Sequence, residues 1–332
     1  MVYRITLTTL LALMLAACGK SEPLPSTEQP RFNIDKSRIT VSGISSGAYM
    51  AGQFHVVHSA LVNGAALLAG GPYYCAEGSI QKGLGPCIKG GDTGLDGLVT
   101  YAVAAAAAGS IDSLENLADD RVWLFHGTQD TAVSHDVVVD AQKFYERVAP
   151  QVTTTLVDNV EVIHGMPTLD KGVACNELAS PFLNACNYDA AGALLGALYD
   201  SLNDRVEASG SLLQVAQPGA EDAVMLETAY LYVPSSCTAQ ESCGLHIAFH
   251  GCQQSSEMVG DAFARDAGYN EWAESNRLLV LYPQVASSKL APMNPLGCWD
   301  WWGYTGEGYA TKSGAQIVSV LATIRSIDVK GQ

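Results

Sequence analysis

Short apolar runs rich in β-branched residues recur along the chain, and most are followed by stretches with helical spacing. That alternation is expected of an α/β protein with a mostly parallel sheet covered by helices on both faces. Strands are predicted over residues 39–41, 62–69, 121–125, 152–156, 230–233, 245–249 and 278–282. Helices are predicted from residue 48 onward, with Met50, Phe54 and Val57 on one side, and over 98–108, 135–148, 190–202, 263–274 and 313–327. Val138, Phe144 and Val148 form the inward stripe of the helix at 135–148. Residues 73–97, rich in Gly, read as a surface loop, and residues 168–222 read as an insertion holding a Cys-bounded loop and one helix.

The first strand and the helix after it are joined by Gly43-Ile44-Ser45-Ser46-Gly47. G-x-S-x-G at a strand-to-helix junction is the context of a nucleophile elbow, where a tight turn flanked by small residues pushes a serine hydroxyl out at the carboxyl edge of the sheet. Ser45 is the candidate nucleophile. The same pentapeptide also suits a Gly/Ser turn that caps a helix, so partners elsewhere in the chain must decide.

Two later strand ends supply such partners. The strand at 121–125 leads into His126-Gly127-Thr128-Gln129-Asp130, which delivers a carboxylate just past a strand, where an acid can orient a histidine; an Asx turn or helix cap is the plainer use of Asp130. Next comes Val162-Ile163-His164-Gly165-Met166-Pro167. His164 completes the order Ser, Asp, His, and its imidazole would take the Ser45 proton and return it to a leaving alcohol. His55 and His58 fall on the elbow helix and His246 in a strand, while His126, His135 and His250 flank turns without the strand-plus-loop spacing from the acid.

His250-Gly251-Cys252 follows the strand at 245–249 and has the form of a loop that donates an oxyanion-hole N–H. In the ordinary α/β-hydrolase order this loop precedes the nucleophile; here it comes roughly two hundred residues after it. Joining the chain's end to its beginning restores the usual order, so the sequence predicts a circularly permuted α/β hydrolase. The oxyanion hole would comprise the backbone N–H groups of Ser46 and Cys252. Cys298-Trp299-Asp300-Trp301-Trp302-Gly303-Tyr304 crowds three of the five tryptophans into a loop between glycines. Trp299, Trp301, Trp302 and Tyr304 are therefore candidate substrate contacts, whereas Trp123 and Trp272 read as packing residues.

Composition narrows the function classes. With 48% hydrophobic and 16% charged residues the chain has material for a large core, and a net charge of −16 argues against nucleic acid, which is bound through clustered Lys and Arg. Residues 1–18 read as a lipoprotein-type signal peptide: a short positive start at Arg4, an apolar stretch too short to span a bilayer, and Leu15-Ala16-Ala17-Cys18 resembling a lipobox whose Cys18 would be lipidated. Residues 19–33, with Ser, Pro and Glu, read as a flexible tether, and 34–332 as one catalytic domain. The expected address is the bacterial cell envelope or the outside, with ordinary secretion as the alternative to a lipid anchor. Setting Cys18 aside leaves eight cysteines, predicted to pair as Cys75 with Cys87, Cys175 with Cys186, Cys237 with Cys243, and Cys252 with Cys298 in an oxidising compartment. The absence of a C-x-x-C and of histidines clustered with these cysteines argues against zinc.

Gly-Ile-Ser-Ser-Gly-Ala-Tyr-Met, His-Gly-Thr-Gln-Asp, Val-Ile-His-Gly-Met, His-Gly-Cys and Cys-Trp-Asp-Trp-Trp-Gly-Tyr, in that order, resemble the single-domain, circularly permuted extracellular poly(3-hydroxybutyrate) depolymerases from about residue 35 to the C-terminus. The resemblance implies a triad of Ser45, Asp130 and His164, oxyanion donors at Ser46 and Cys252, a substrate contact from the loop 299–302, a polyester or ester-oligomer substrate, and no metal or organic cofactor. It departs from the family in its lipobox. No Thr-rich linker or separate polymer-binding module is evident. The rival readings are a feruloyl or acetyl-xylan esterase and, from another class, a non-catalytic binding lipoprotein.

Overall fold

The computed structural model describes residues 29–330. The reading of residues 1–18 as a signal peptide, of Cys18 as a lipidation site and of most of the tether lies outside them. Among the described residues eleven strands are present: β1 (Asn33–Ile44), β2 (Gly64–Leu68), β3 (Arg121–Gly127), β4 (Thr153–Val160), β5 (Met166–Thr168), β6 (Val173–Ala174), β7 (Leu183–Ala185), β8 (Ser211–Ala216), β9 (Thr228–Val233), β10 (Ser242–Phe249) and β11 (Leu278–Tyr282). Eight of them make one sheet in the order β4-β3-β2-β1-β10-β11-β9-β8, and β5, β7 and β6 make a small second sheet. The pairs from β4 through β11 are parallel, and only β9 runs against its neighbours.

Starting instead at β8 and passing through the C-terminal helix into β1, space and chain run together apart from one exchange of β10 with β11. This is the circular permutation that the late oxyanion loop predicted. The described ends meet as the permutation requires: the Phe32 N–H donates to Ile327 O at 2.7 Å, and the Val329 N–H donates to Phe32 O at 2.9 Å.

Because side chains alternate across a strand, neighbouring residues feed opposite layers. Val41, Leu67, Leu124, Ile247 and Leu281 enter one core under the helices Ser46–Val57, Leu95–Ala107, His135–Val148 and Ala315–Ile327. Ile44, Leu68, Phe125, Ala248 and Tyr282 enter the other, under the helices Ala190–Leu198 and Tyr269–Asn276. The central strands are covered on both faces and so read as unbroken apolar runs. Polar groups do enter the second face: the His246 ring lies 2.8 Å from Thr40 Oγ1 and 2.7 Å from Ser42 Oγ, and those hydroxyls continue to Tyr199 and Tyr269. Burial depresses the His246 pKa to about 3, so the ring is held neutral within a satisfied network.

Three expectations are corrected. The helix at 263–274 is broken into Ala262–Asp266 and Tyr269–Asn276, because Gly268 takes a positive φ of 92° between the pieces. The segment 168–222 is not an insertion throughout. The helix Ala190–Leu198 covers the sheet, and β8 pairs antiparallel with β9 as its edge strand. Finally, the 73–97 loop carries two short helices, Ile80–Leu84 and Pro86–Lys89. The helices at 135–148 and the strand at 278–282 have the predicted bounds, and the four predicted disulfides are formed.

The elbow helix is buried on every side, with its N-terminus pressed on the end of β10: a Cβ on Gly47 would stand 2.3 Å from the carbonyl oxygens of Phe249 and His250. Gly47→Ala is expected to force the elbow helix and the end of β10 apart and to destabilise the protein by about 1–3 kcal/mol, read from the urea midpoint at unchanged slope. His246 and His250, whose pKa values burial lowers to about 3 and about 4, are neutral in the folded state. Their stability contribution is complete above the unfolded value of about 6.5 and is lost as pH falls toward the folded values. Each is expected to withdraw about 1.4 kcal/mol per pH unit below 6.5, measurable as a falling Tm in acid.

Candidate active site

Ser45 follows the last residue of β1 and takes φ 57° and ψ −124°, a strained conformation for a residue with a side chain. Its backbone is pinned on both sides: its N–H donates to Leu68 O at 2.8 Å, and its carbonyl accepts from Ala48 N–H at 2.9 Å. Its hydroxyl makes no capping bond to the helix, which removes the plain turn-cap reading. The small residues of the motif are sterically required. A Cβ on Gly43 would meet Gly47 O at 2.1 Å, so the turn closes only on glycine there.

Asp130 and His164 sit on loops that leave β3 and β4 and are stitched together. The Thr128 N–H donates to Val160 O at 2.9 Å, and the Gln129 N–H donates to Val162 O at 3.1 Å. Val162 passes so close to Gly127 that a Cβ there would meet its oxygen at 2.3 Å. The result is a 2.7 Å hydrogen bond from His164 Nδ1 to Asp130 Oδ2. The other carboxylate oxygen, Oδ1, accepts from the N–H groups of Ala132 and Val133 at 2.8 and 3.0 Å. Asp130 is therefore both an Asx turn and the partner of a histidine, two readings that the sequence set against each other. Burial alone would raise its pKa, but the His164 bond and charge together with the two N–H groups outweigh it and hold the carboxyl below the ordinary value.

With Nδ1 engaged, the His164 Nε2 is left for a reacting proton. His164 and Ser45 line one recess of about 210 Å³, together with Ile44, Leu178, Phe182 and Cys252. Ser46 begins the elbow helix, where a first-turn N–H has no intrahelical acceptor, and Cys252 begins the turn after β10. Among the described residues neither N–H has a hydrogen-bond acceptor, and Ser46 and Cys252 both border a second cavity that also reaches Ser45.

That second cavity, about 400 Å³, is lined by Tyr49, Leu84, Met293, Leu296, Trp301 and Trp302 among others, and none of its lining residues is charged. Trp301 stacks on Tyr49 with ring centroids 4.3 Å apart and meets Trp302 edge-on at 5.5 Å. Leu84, Met293 and Leu296 are 54%, 69% and 46% exposed, so its mouth is apolar as well. The Cys252–Cys298 disulfide joins the turn to the aromatic loop, and the Trp299 N–H donates to Ser46 Oγ at 3.3 Å. Asp300 folds that loop by accepting from the N–H groups of Gly303, Tyr304 and Thr305 at 2.6, 2.9 and 2.8 Å. Burial nevertheless raises its pKa above the ordinary value.

Two candidate contacts are corrected. Trp299 is fully buried, packed on Phe249 and His250, and lines neither cavity. The Tyr304 hydroxyl is occupied by Cys298 O, Asn294 and Gln316, so it serves the loop rather than the cavity. Sequence reading missed Ile80, Leu84, Ile88, Met293 and Leu296. Ile80, Leu84 and Ile88, spaced four apart, lie on the two short helices that the Gly-rich stretch hides, and Met293 and Leu296 lie in a loop punctuated by Pro and Gly, where the one clue was an apolar residue left in a surface loop. Among the described residues no group of three His, Cys, Asp or Glu side chains could hold a metal ion, and no helix is long and apolar enough to cross a membrane.

No family model matches the chain. It is 37% identical over 319 residues to the poly(3-hydroxybutyrate) depolymerase of Delftia acidovorans, covering 93% of this chain but 63% of that protein, so it spans just under two thirds of that relative's length. It is 33% identical over 329 residues to the polyhydroxybutyrate depolymerase of Talaromyces funiculosus, covering 94% of this chain and 96% of that one. Among solved structures, the PHB depolymerase from Penicillium funiculosum superposes with a TM-score of 0.86, and a PHB depolymerase complexed with an R3HB trimer does so with 0.84. Both are 33% identical and cover 92% of this chain and 99% of theirs. Together with the permuted strand order, the elbow and the Asp–His pair, the likeness along nearly the whole length of the Talaromyces relative shows that the chain belongs to the poly(3-hydroxybutyrate) depolymerase family.

Proposed function

We propose that the protein is a serine esterase that hydrolyses poly(3-hydroxybutyrate) or its oligomers through Ser45, His164 and Asp130. The observation that carries this reading is a strained, uncapped serine sharing a recess with a histidine whose far nitrogen is fixed by a carboxylate. His164 Nε2 takes the proton as Ser45 Oγ attacks the ester carbonyl, and Asp130 holds the tautomer and stabilises the imidazolium. The tetrahedral oxyanion is held by the N–H groups of Ser46 and Cys252. Collapse expels the alcohol with the proton from His164, and a water then releases the acyl group by the same route.

The two cavities divide the substrate. The leaving oxygen must reach His164, which places the alcohol portion in the smaller recess and the acyl portion against Trp301 and Trp302. An uncharged, apolar lining suits an aliphatic polyester, whose polar atoms are ester oxygens. It offers few side-chain partners for the hydroxyls of a xylan chain, which favours the polyester over the polysaccharide esterase. The relatives' names point to the same substrate, and one solved relative holds an R3HB trimer. Four disulfides support a site of action outside the cytoplasm.

Release of 3-hydroxybutyrate from amorphous polymer and from short oligomers, measured beside release of ferulate and acetate from xylan, tests the assignment. Only the first pair is expected to turn over. Ser45→Ala is expected to lower turnover by about 10⁴–10⁶-fold and Asp130→Asn by about 10²–10⁴-fold with the fold intact by circular dichroism. Trp302→Ala is expected to lower kcat/KM about 10-fold for a trimer while leaving an acetate ester nearly unaffected, because only the longer acyl chain reaches the ring.

A further inference from the structure

Gln254 is 2% exposed and has no place in the triad or the oxyanion pair, yet its amide is fully used. Its Oε1 accepts the Gly251 N–H at 2.7 Å, while its Nε2 donates to the carbonyls of Pro181 and Phe182 at 3.0 and 3.1 Å. The first bond fixes the His250–Gly251 peptide, the one before the peptide that carries the Cys252 N–H. The second pair grips a turn that also receives the Met166 N–H on Phe182 O at 2.9 Å, two residues after His164. Both ends of this bridge are strained: Gln253 and Phe182 have φ values of 63° and 59° without being glycine. The approach is also close, since a Cβ on Gly251 would stand 2.8 Å from Gln254 Oε1.

We propose that Gln254 is a positioning residue for the hydrolysis described above: its side-chain amide holds the Cys252 N–H in register with the loop that presents His164. The inference rests on the serine-esterase reading. A neutral amide is required because one end must accept and the other must donate twice. Glutamate can accept the Gly251 N–H but turns an oxygen toward two carbonyls, and methionine matches the length while supplying neither function. Oxyanion donors contribute in the transition state more than in substrate binding, so a donor displaced by a few tenths of an ångström lowers kcat and spares KM.

The test compares Gln254→Met and Gln254→Glu with the unaltered protein on a soluble butyrate ester, with turnover counted per site titrated by a fluorophosphonate. Both variants are expected to lose about 10–100-fold in kcat with KM within about two-fold. The inhibition constant of an alkyl boronic acid, which mimics the tetrahedral intermediate, is expected to rise by the same factor. Unaltered turnover per site in either variant overturns the proposal, as does lost turnover with undiminished boronate affinity, since a merely structural role would lower Tm and the titratable fraction alone. Should neither variant fold, deuterium exchange at the Gly251 amide of the unaltered protein decides: a protected amide supports the bridge and a freely exchanging one overturns it. Absence of esterase turnover in the unaltered protein would remove the underlying reading, which is distinguishable from active protein with indifferent variants.

Discussion

The site depends on one close approach, that of the elbow helix's first turn to the end of β10. Only a residue without a side chain lets the Gly47 backbone lie on the carbonyls of Phe249 and His250, and that contact sets the distance between the turn bearing Ser45 and the turn bearing Cys252. Side chains can be swung to meet a substrate, whereas two backbone N–H groups aimed at one point can be arranged only by fixing the chain itself. The hydrogen-bonded pairing of β1 with β10 from Ile39 to Gly43 continues this constraint downward, so the catalytic edge rests on the middle of the sheet.

Around that contact the molecule ties together segments far apart in sequence. Residues 43–47, 127–130 and 162–165 come from one half of the permuted chain, and 250–254 and 293–302 from the other. The Cys252–Cys298 bond, the Trp299 to Ser46 hydrogen bond and the Gln53 side chain on Asp300 O at 2.9 Å fasten the aromatic loop to the elbow. Each fastening is short-ranged, yet each closes a long loop, so the order of the site comes from the finished sheet rather than from local preference.

Much of this was readable from sequence where a local rule and a tertiary role coincide. The elbow motif, the strand-end Asp130 and the His164 loop carry turn residues whose steric needs are local, and the late position of His250-Gly251-Cys252 was enough to infer the permutation that the strand order shows. Cysteine spacing was equally informative, since close pairs in a small loop have few other partners. Reading failed where local rules are silent. The edge strand β8 has little burial to announce it, because half of its positions face solvent. The helix at 263–274 kept a helical pattern across Gly268, which breaks it. Trp299 and Trp301 belong to the same loop, and nothing in their immediate neighbours says that one ring turns into the core while the other turns to the cavity.

β1 is twelve residues long and enters the sheet at the edge opposite to the one where it ends at Ile44. It bulges between Ile34 and Ile39, so Asn33 to Gly43 run alongside Ser242 to Phe249, a length of roughly 23 Å at ~3.3 Å per residue of β10. Asn33 and the Ser45 turn therefore stand at opposite edges of the sheet. The strand acts as an internal spacer between the point where the chain enters the sheet and the turn that carries the serine.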